Sequence, residues 1–302
     1  MKKAIISGST GLLGRALVKL FCSKGIELLC LGRKELDQRS CEEIFGSSVT
    51  YLCLPMERIL DLKRNCEEVN WFADDYCVFY NLAWSGSKSL TDGTFRNQLE
   101  NVSNSANAVT AAIELGCKKF VNAGTIEETF ADSWFRNSSI EFNSTQMNYS
   151  LAKIAARDMC KIVAYLNKID YVHTRLSVPL DFTLKKGSYI ANTLKKISNN
   201  MKYQKPTNTQ LFDIISVEDV AKAYLLIGYY GKNKADYYIG SSRPATLEQF
   251  FNAFEDLLKT KNRKNKKNFF SDNTSFFSYS KLKYDTGFSP SNVFEDILKE
   301  GF

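Results

Sequence analysis

The chain of 302 residues holds a single histidine, and its eight cysteines are scattered from Cys22 to Cys160 without one Cys-x-x-Cys pair. Zinc sites draw on closely spaced Cys and His ligands, so this composition argues against one and no metal is expected. Dispersed thiols fit a reducing compartment better than a disulfide framework. Long apolar runs are missing too. None reaches the ~20 residues that a bilayer span needs. The apolar stretch after Met1-Lys2-Lys3 is interrupted at Gly8 and is too short for a signal-peptide core. The expectation is a cytoplasmic protein with no membrane partner. No Gly-Lys-Ser/Thr follows a glycine-rich turn, which excludes a P-loop. Internal repeats and long linkers are likewise not visible.

A hydrophobic share of 44% with 24% charged residues is ordinary for a soluble globular enzyme. The length suits one large α/β domain, or a core domain with a smaller lobe. The net charge is +7, and much of the excess sits in the run Lys259–Lys267. That run reads as a solvated helix end and loop rather than a nucleic-acid patch, and no nucleic acid is expected as a partner. A mild positive field suits an anionic cofactor and substrate.

The first half of the chain alternates. Apolar strands are predicted at Lys3–Ser7, Glu27–Leu31, Thr50–Leu54, Cys77–Leu82, Lys119–Asn122 and Tyr171–Leu176. Helical spacing is seen over Leu12–Ser23, Thr94–Leu115 and Ser150–Leu166. Gly25 and Gly116 follow two of these helices as natural stops. Strands alternating with helices imply a doubly wound parallel sheet covered on both faces, an α/β Rossmann-type fold. After Pro179 the pattern loosens. Tyr189–Ile197 and Glu218–Ile227 read as helices, Leu211–Ile215 as one extended stretch and Tyr237–Ile239 as a short strand. The second half therefore looks like a lobe packed on the first, not an independent domain.

Gly8-x-x-Gly11-x-x-Gly14 follows a strand and opens a helix. Glycines there allow a tight turn and let backbone N–H groups approach a pyrophosphate, with the helix N-terminus favouring negative charge. Thr10, Leu12 and Leu13 belong to the same candidate cofactor turn. The second strand ends Gly32-Arg33-Lys34. An NAD site usually places a carboxylate at that point for the ribose 2′-hydroxyl. A guanidinium at Arg33, assisted by Arg15, suits a 2′-phosphate instead. NADP(H) is favoured, and NAD(H) stays open.

Thr125 closes the fifth strand, and Tyr149-Ser150-Leu151-Ala152-Lys153 opens a helix. Residues at i and i+4 share a helix face. A nearby ammonium favours the charged form of a phenol whose ordinary pKa is ~10. Tyr149 is thus the candidate proton carrier, Thr125 the candidate hydrogen-bond partner of the substrate oxygen, and Lys153 the candidate charge partner.

In this order the motifs resemble one family, the extended short-chain dehydrogenases/reductases, also called the NAD-dependent epimerase/dehydratase family. The resemblance covers nearly the whole chain. Its carriers are Gly8-Ser9-Thr10-Gly11-Leu12-Leu13-Gly14, Asn81-Leu82-Ala83, Thr125 and Tyr149-x-x-x-Lys153. Arg175-Leu176-Ser177-Val178-Pro179, Ile215-Ser216-Val217-Glu218-Asp219-Val220-Ala221 and Tyr238-Ile239-Gly240 add to it. The resemblance implies a Rossmann sheet, with residues 1–178 as a dinucleotide-binding domain carrying the reacting groups and residues 179–302 mainly as a smaller C-terminal substrate-binding lobe for a nucleotide sugar, some segments returning to the first domain. It also implies contact of Lys153 with the nicotinamide ribose, Leu82 and Ala83 lining the cofactor groove, and a homodimer built on helices 94–115 and 150–166. Asn101 matches a family asparagine, for which a structural hydrogen bond is the alternative.

Departures from the family pattern narrow the reaction. Dehydratases carry Thr-Asp-Glu where this chain has Thr125-Ile126-Glu127, so the acid expected to protonate a leaving hydroxyl is missing. Glu127 either faces the substrate or is a solvated loop carboxylate. Phe212 stands where the family has an arginine, which leaves Arg243 and Lys185 as candidates for the substrate diphosphate by charge alone. Trp84 and Ser85 either line the sugar site or, for Trp84, fill core. The expected function is NADPH-dependent reduction of a nucleotide-linked 4-keto sugar, a 6-deoxy sugar for surface polysaccharide. The alternatives are a 4-epimerase with tightly bound NAD and a non-catalytic NADP-binding regulator.

Overall fold

The computed structural model describes residues 1–46, 49–86, 95–136, 147–181, 183–184, 188–207, 209–260 and 276–291. The elements in chain order begin with β1 (Lys3–Ser7), α1 (Leu12–Ser23), β2 (Glu27–Gly32), α2 (Gln38–Phe45) and β3 (Thr50–Cys53). A 3-10 turn at Met56–Asp61 leads to α3 (Leu62–Glu68), β4 (Val78–Asn81), α4 (Phe95–Glu114), β5 (Lys119–Thr125) and α5 (Glu127–Arg136). Then come α6 (Met147–Leu166), β6 (Asp170–Leu176), β7 (Val178–Leu180), α7 (Tyr189–Ser198), β8 (Leu211–Phe212) and β9 (Ile214–Ser216). The last are α8 (Val217–Tyr230), β10 (Asp236–Ile239), β11 (Ala245–Thr246), α9 (Leu247–Thr260) and α10 (Ser280–Thr286).

Seven strands form one parallel sheet in the order β3-β2-β1-β4-β5-β6-β10. The chain winds outward from β1 in both directions, so a crevice opens at the carboxyl ends where the order reverses between β1 and β4. The sheet is buried on both faces, which is why its strands read as unbroken apolar runs. Side chains alternate along each strand. Ile5, Leu29, Phe79, Phe120 and Tyr171 point to one face, with Val109 and Ala112 of α4 and Cys160 of α6. Ile6, Cys30, Tyr80, Val121 and Val172 point to the other, with Leu17 and Phe21 of α1 and Tyr224 and Ile227 of α8.

Lys119 fastens β5 to α8. Its buried ammonium donates to the carbonyls of Ile227, Gly228 and Gly231, at 3.1, 3.1 and 2.9 Å. These are C-terminal carbonyls of a helix, the groups left without intrahelical partners. A third apolar cluster lies away from the sheet, with Ile190 and Leu194 of α7 packed near Phe250, Phe251 and Phe254 of α9.

Several elements differ from the sequence reading. The stretch 211–215 is two short strands, because Asp213 turns inward between them. Its buried carboxylate accepts from the Tyr238 and Ser241 hydroxyls and the Ser242 N–H. β8 pairs with β11, and β9 with β7. The strand at 236–239 returns to the edge of the main sheet beside β6. Helices α2, α3, α5, α9 and α10 add to the expected ones. Lys185 and residues 261–267 of the basic run lie outside the described residues.

Candidate active site

The glycine turn leaves β1 and enters α1 at the crevice. Gly8 sits at φ +70°, and a side chain there would meet the backbone of Ala83 at 3.0 Å. A Cβ at Gly14 would lie 2.3 Å from the Gly8 carbonyl oxygen and 2.6 Å from Ser9 Cα. Both positions therefore demand glycine, one for its backbone angle and one for close packing of helix on turn. Ser9 anchors the turn to β2, its hydroxyl donating to the Leu31 carbonyl at 3.0 Å. The N-cap of α1 is Gly11, with no side-chain hydrogen bond capping the first turn. Uncapped N–H groups beside closely approaching backbone fit an anionic group such as a pyrophosphate. Thr10, Leu12 and Leu13 are half-buried around the turn, and Gly11 is exposed.

At the end of β2, Gly32 packs against the Tyr51 hydroxyl, which a Cβ would approach to 2.3 Å. That hydroxyl donates to the Lys34 carbonyl at 2.7 Å. Arg33 projects as an exposed residue between them in sequence, and Arg15 is half-buried on α1.

The reacting candidates meet at the carboxyl end of β5. The Tyr149 ring lies 5.9 Å from Lys153 Nζ. Burial pushes the Tyr149 phenol well above its ordinary value, the Glu128 and Glu127 charges add to this, and Thr125 opposes it. Lys153 is buried, and its ammonium donates to the Ala123 carbonyl at 2.7 Å. Burial draws its pKa down to about 8, against an upward pull from Glu128.

Trp84 is not core. It is half-buried, with its indole face 3.8 Å from Lys153 Nζ and its ring 6.0 Å from that of Tyr149, edge to face. Its Nε1–H donates to Gln98 Oε1 at 2.9 Å. One helical turn later, Asn101 holds Ser85 by two backbone bonds of 2.9 Å each. Asn101 thus makes a structural bond that shapes the loop. Ser85 itself is exposed.

Glu127 lies on the first turn of α5 rather than in a solvated loop, half-buried, with its carboxyl pKa raised by burial. Its N–H donates to Thr125 Oγ1 at 3.4 Å. Arg243 belongs to a different set of contacts. It is exposed ahead of β11, and its backbone N–H donates to Asp213 at 3.3 Å. The structure therefore joins Gly8, Ala83, Trp84, Lys153, Tyr149, Thr125 and Glu127 in one continuous neighbourhood.

Three residues of this neighbourhood are not legible as site residues in the sequence. Gln98 and Glu128 lie on helix turns, and His173 is an isolated histidine. Glu128 and His173 are buried behind Thr125. The one signal for Gln98 was its spacing of three from Asn101. Among the described residues no group of three or more His, Cys, Asp or Glu side chains could hold a metal ion. No described helix is long and apolar enough to cross a membrane.

The strand order and the glycine turn at its reversal are those of a dinucleotide-binding α/β protein. The chain belongs to the NAD dependent epimerase/dehydratase family, whose model matches residues 4–240. No curated protein matches the chain in sequence. Solved structures resemble it throughout. A UDP-N-acetylglucosamine 4-epimerase from Bacillus cereus is similar at TM-score 0.72 and 17% identity, covering 100% of both chains. A UDP-glucose 4-epimerase from Thermotoga maritima with UDP-glucose is similar at 0.71 and 16%, covering 99% of this chain and 96% of that one. The Bordetella bronchiseptica enzyme WbmG, in complex with NAD and UDP, is similar at 0.70 and 15%, covering 98% and 92%.

Proposed function

We propose that the protein is an NADPH-dependent reductase of a nucleotide-linked 4-keto sugar, with Thr125, Tyr149 and Lys153 carrying the reaction. The observation that carries this reading is the buried Lys153 ammonium, held on the Ala123 carbonyl of the strand that ends in Thr125 and 5.9 Å from the Tyr149 ring. A phenol raised by burial keeps its proton at neutral pH, the state required of a donor to a ketone oxygen. The Thr125 hydroxyl would hold that oxygen within reach. The Lys153 cation would stabilise the phenolate left behind. Bound NADPH would supply the hydride. Tyr149→Phe is expected to abolish turnover while NADPH still binds, read by steady-state kinetics and fluorescence titration. Full activity in that variant would refute the assignment.

Preference for NADP(H) rests on the end of β2. Gly32 leaves no carboxylate at the ribose position, and Arg33 is exposed. Net reduction fits a dissociable biosynthetic reductant. In this reading residues 1–178 carry the cofactor and residues 179–302 mainly the sugar nucleotide. Trp84, Ser85 and Glu127 face the sugar, and Arg243 stays a candidate for the diphosphate. We place the enzyme in the cytoplasm as a homodimer, supplying a 6-deoxy sugar for surface polysaccharide.

A second reading is a nucleotide-sugar 4-epimerase using bound NAD. It is favoured by the structural neighbours, two of which are 4-epimerases of UDP-sugars. The same three residues would serve it, with Tyr149 taking a proton first and returning it later. Net consumption of NADPH separates the two.

A further inference from the structure

A row of buried polar side chains crosses four strands of the sheet. Ser7, Asn81, Asn122 and His173 stand opposite one another in register on β1, β4, β5 and β6. The Ser7 hydroxyl accepts from the N–H groups of Leu82 and Ala83, both at 3.2 Å, and donates to Asn81 Oδ1 at 2.8 Å. Asn81 Nδ2 donates to Asn122 Oδ1 at 3.0 Å. Asn122 Nδ2 reaches His173 Nδ1 at 3.4 Å, and His173 Nε2 meets Glu128 Oε2 at 2.9 Å. Glu128 Oε1 accepts the backbone N–H of Thr125 at 2.8 Å. An ionised carboxylate can only accept, so His173 Nε2 carries the hydrogen and Nδ1 accepts from Asn122. The bonds then run donor to acceptor from the Leu82-Ala83 groove to Glu128, which also accepts from the Thr125 N–H on its far side.

Glu128 is fully buried and His173 is 2% exposed. A buried carboxylate costs several kcal/mol unless donors surround it. Here it has the Thr125 N–H, the His173 ring and the Arg157 guanidinium, the last at 3.8 Å. Gly124 is what makes room. A Cβ there would lie 2.2 Å from Glu128 Oε1 and 2.4 Å from His173 Nε2. The Lys153 ammonium grips the adjoining Ala123 carbonyl. The turn 123–125 is therefore held by an anion and a cation together.

We propose that Glu128, carried by His173, is a positioning residue for the reaction, fixing the Thr125 turn through its backbone and setting its carboxylate beside Lys153 and Tyr149. This rests on the roles assigned above to those three residues. The groups facing this centre are Tyr149, Lys153, Arg157 and Cys160 of α6, Glu127 and Asp132 of α5, Tyr171 and His173 of β6, and Tyr224 of α8. Glu128 acts upward on both Lys153 and Tyr149. Its neutralisation moves both in the same direction, so the two effects cannot cancel.

The test compares Glu128→Gln, His173→Phe and His173→Gln with the native enzyme. Glu128→Gln is expected to move the alkaline limb of the kcat–pH profile down by about one unit, with little change in KM. An unmoved limb in the folded variant would overturn the proposal. Should Glu128→Gln fail to fold, the histidine pair decides. His173→Phe is expected to lower kcat about tenfold and to speed hydrogen exchange at the Thr125 amide. His173→Gln, which can restore the donor to Glu128, is expected to recover most of both. A phenylalanine variant exchanging and turning over as the native enzyme does, or a glutamine variant no better than phenylalanine, would overturn it. The exchange is measured without cofactor or sugar. It therefore judges the clamp even if the activity of Tyr149→Phe removes the catalytic reading.

Discussion

Arg33 stands exposed one residue past the end of β2, where an NAD site would place a carboxylate for the ribose 2′-hydroxyl. Arg33→Asp replaces a phosphate-seeking fork with an anion that repels a 2′-phosphate and accepts from a 2′-hydroxyl. The variant is expected to lose at least about tenfold in the NADPH-to-NADH ratio of kcat/KM, since each ~1.4 kcal/mol of lost discrimination is tenfold. An unchanged ratio would contradict the cofactor assignment. Single residues were legible in the sequence where geometry follows directly from spacing. Tyr149 and Lys153 share a face because they are four apart on a helix. Glu128 was not legible. Beside Glu127 it reads as one of two acids favoured by a helix N-terminus, and only the pairing of β5 with β6 brings His173, 45 positions away, against it. Trp84 was ambiguous for a similar reason. Its half-exposed setting over Lys153 depends on Gln98 of α4 taking the indole N–H.

The helices α4 and α6 pack on one another against the same face of the sheet, yet each keeps apolar groups in solvent. On α6, Met159, Ile162 and Leu166 recur at spacings of three and four and are 51, 56 and 70% exposed. Leu99 and Phe95 do the same on α4 at 48 and 68%. Exposed apolar residues on two packed helices suit a self-complementary two-fold contact. In the homodimer reading, sedimentation of the native protein gives twice the chain mass, and Ile162→Glu gives a monomer that keeps its fold. A native protein sedimenting as a monomer would contradict that reading. Strands of the main sheet were legible as elements because burial on both faces makes them uninterrupted apolar runs. The elements after Pro179 were less so. Strands of two or three residues, such as β8 and β9, leave too few alternations to read, and Asp213 between them looks like a surface residue until Tyr238 and Ser241 close over it.

For the molecule as a whole, the sheet sets a crevice at one end, and in the proposed reading the glycine turn serves there as an anion cradle, with Tyr149, Thr125 and Lys153 of β5 and α6 as its acid, hydroxyl and cation. That plan serves net reduction and epimerisation alike, and the difference lies in whether the nicotinamide leaves in a changed state. The most direct measurement follows NADPH absorbance while the purified protein meets a panel of nucleotide-linked 4-keto and 4-hydroxy sugars, with the sugars analysed at the end. One NADPH is expected to be lost for each keto sugar reduced to a hydroxy sugar. Isomerisation of a hydroxy sugar with no net loss of NADPH would overturn the reductase assignment and make the enzyme an epimerase.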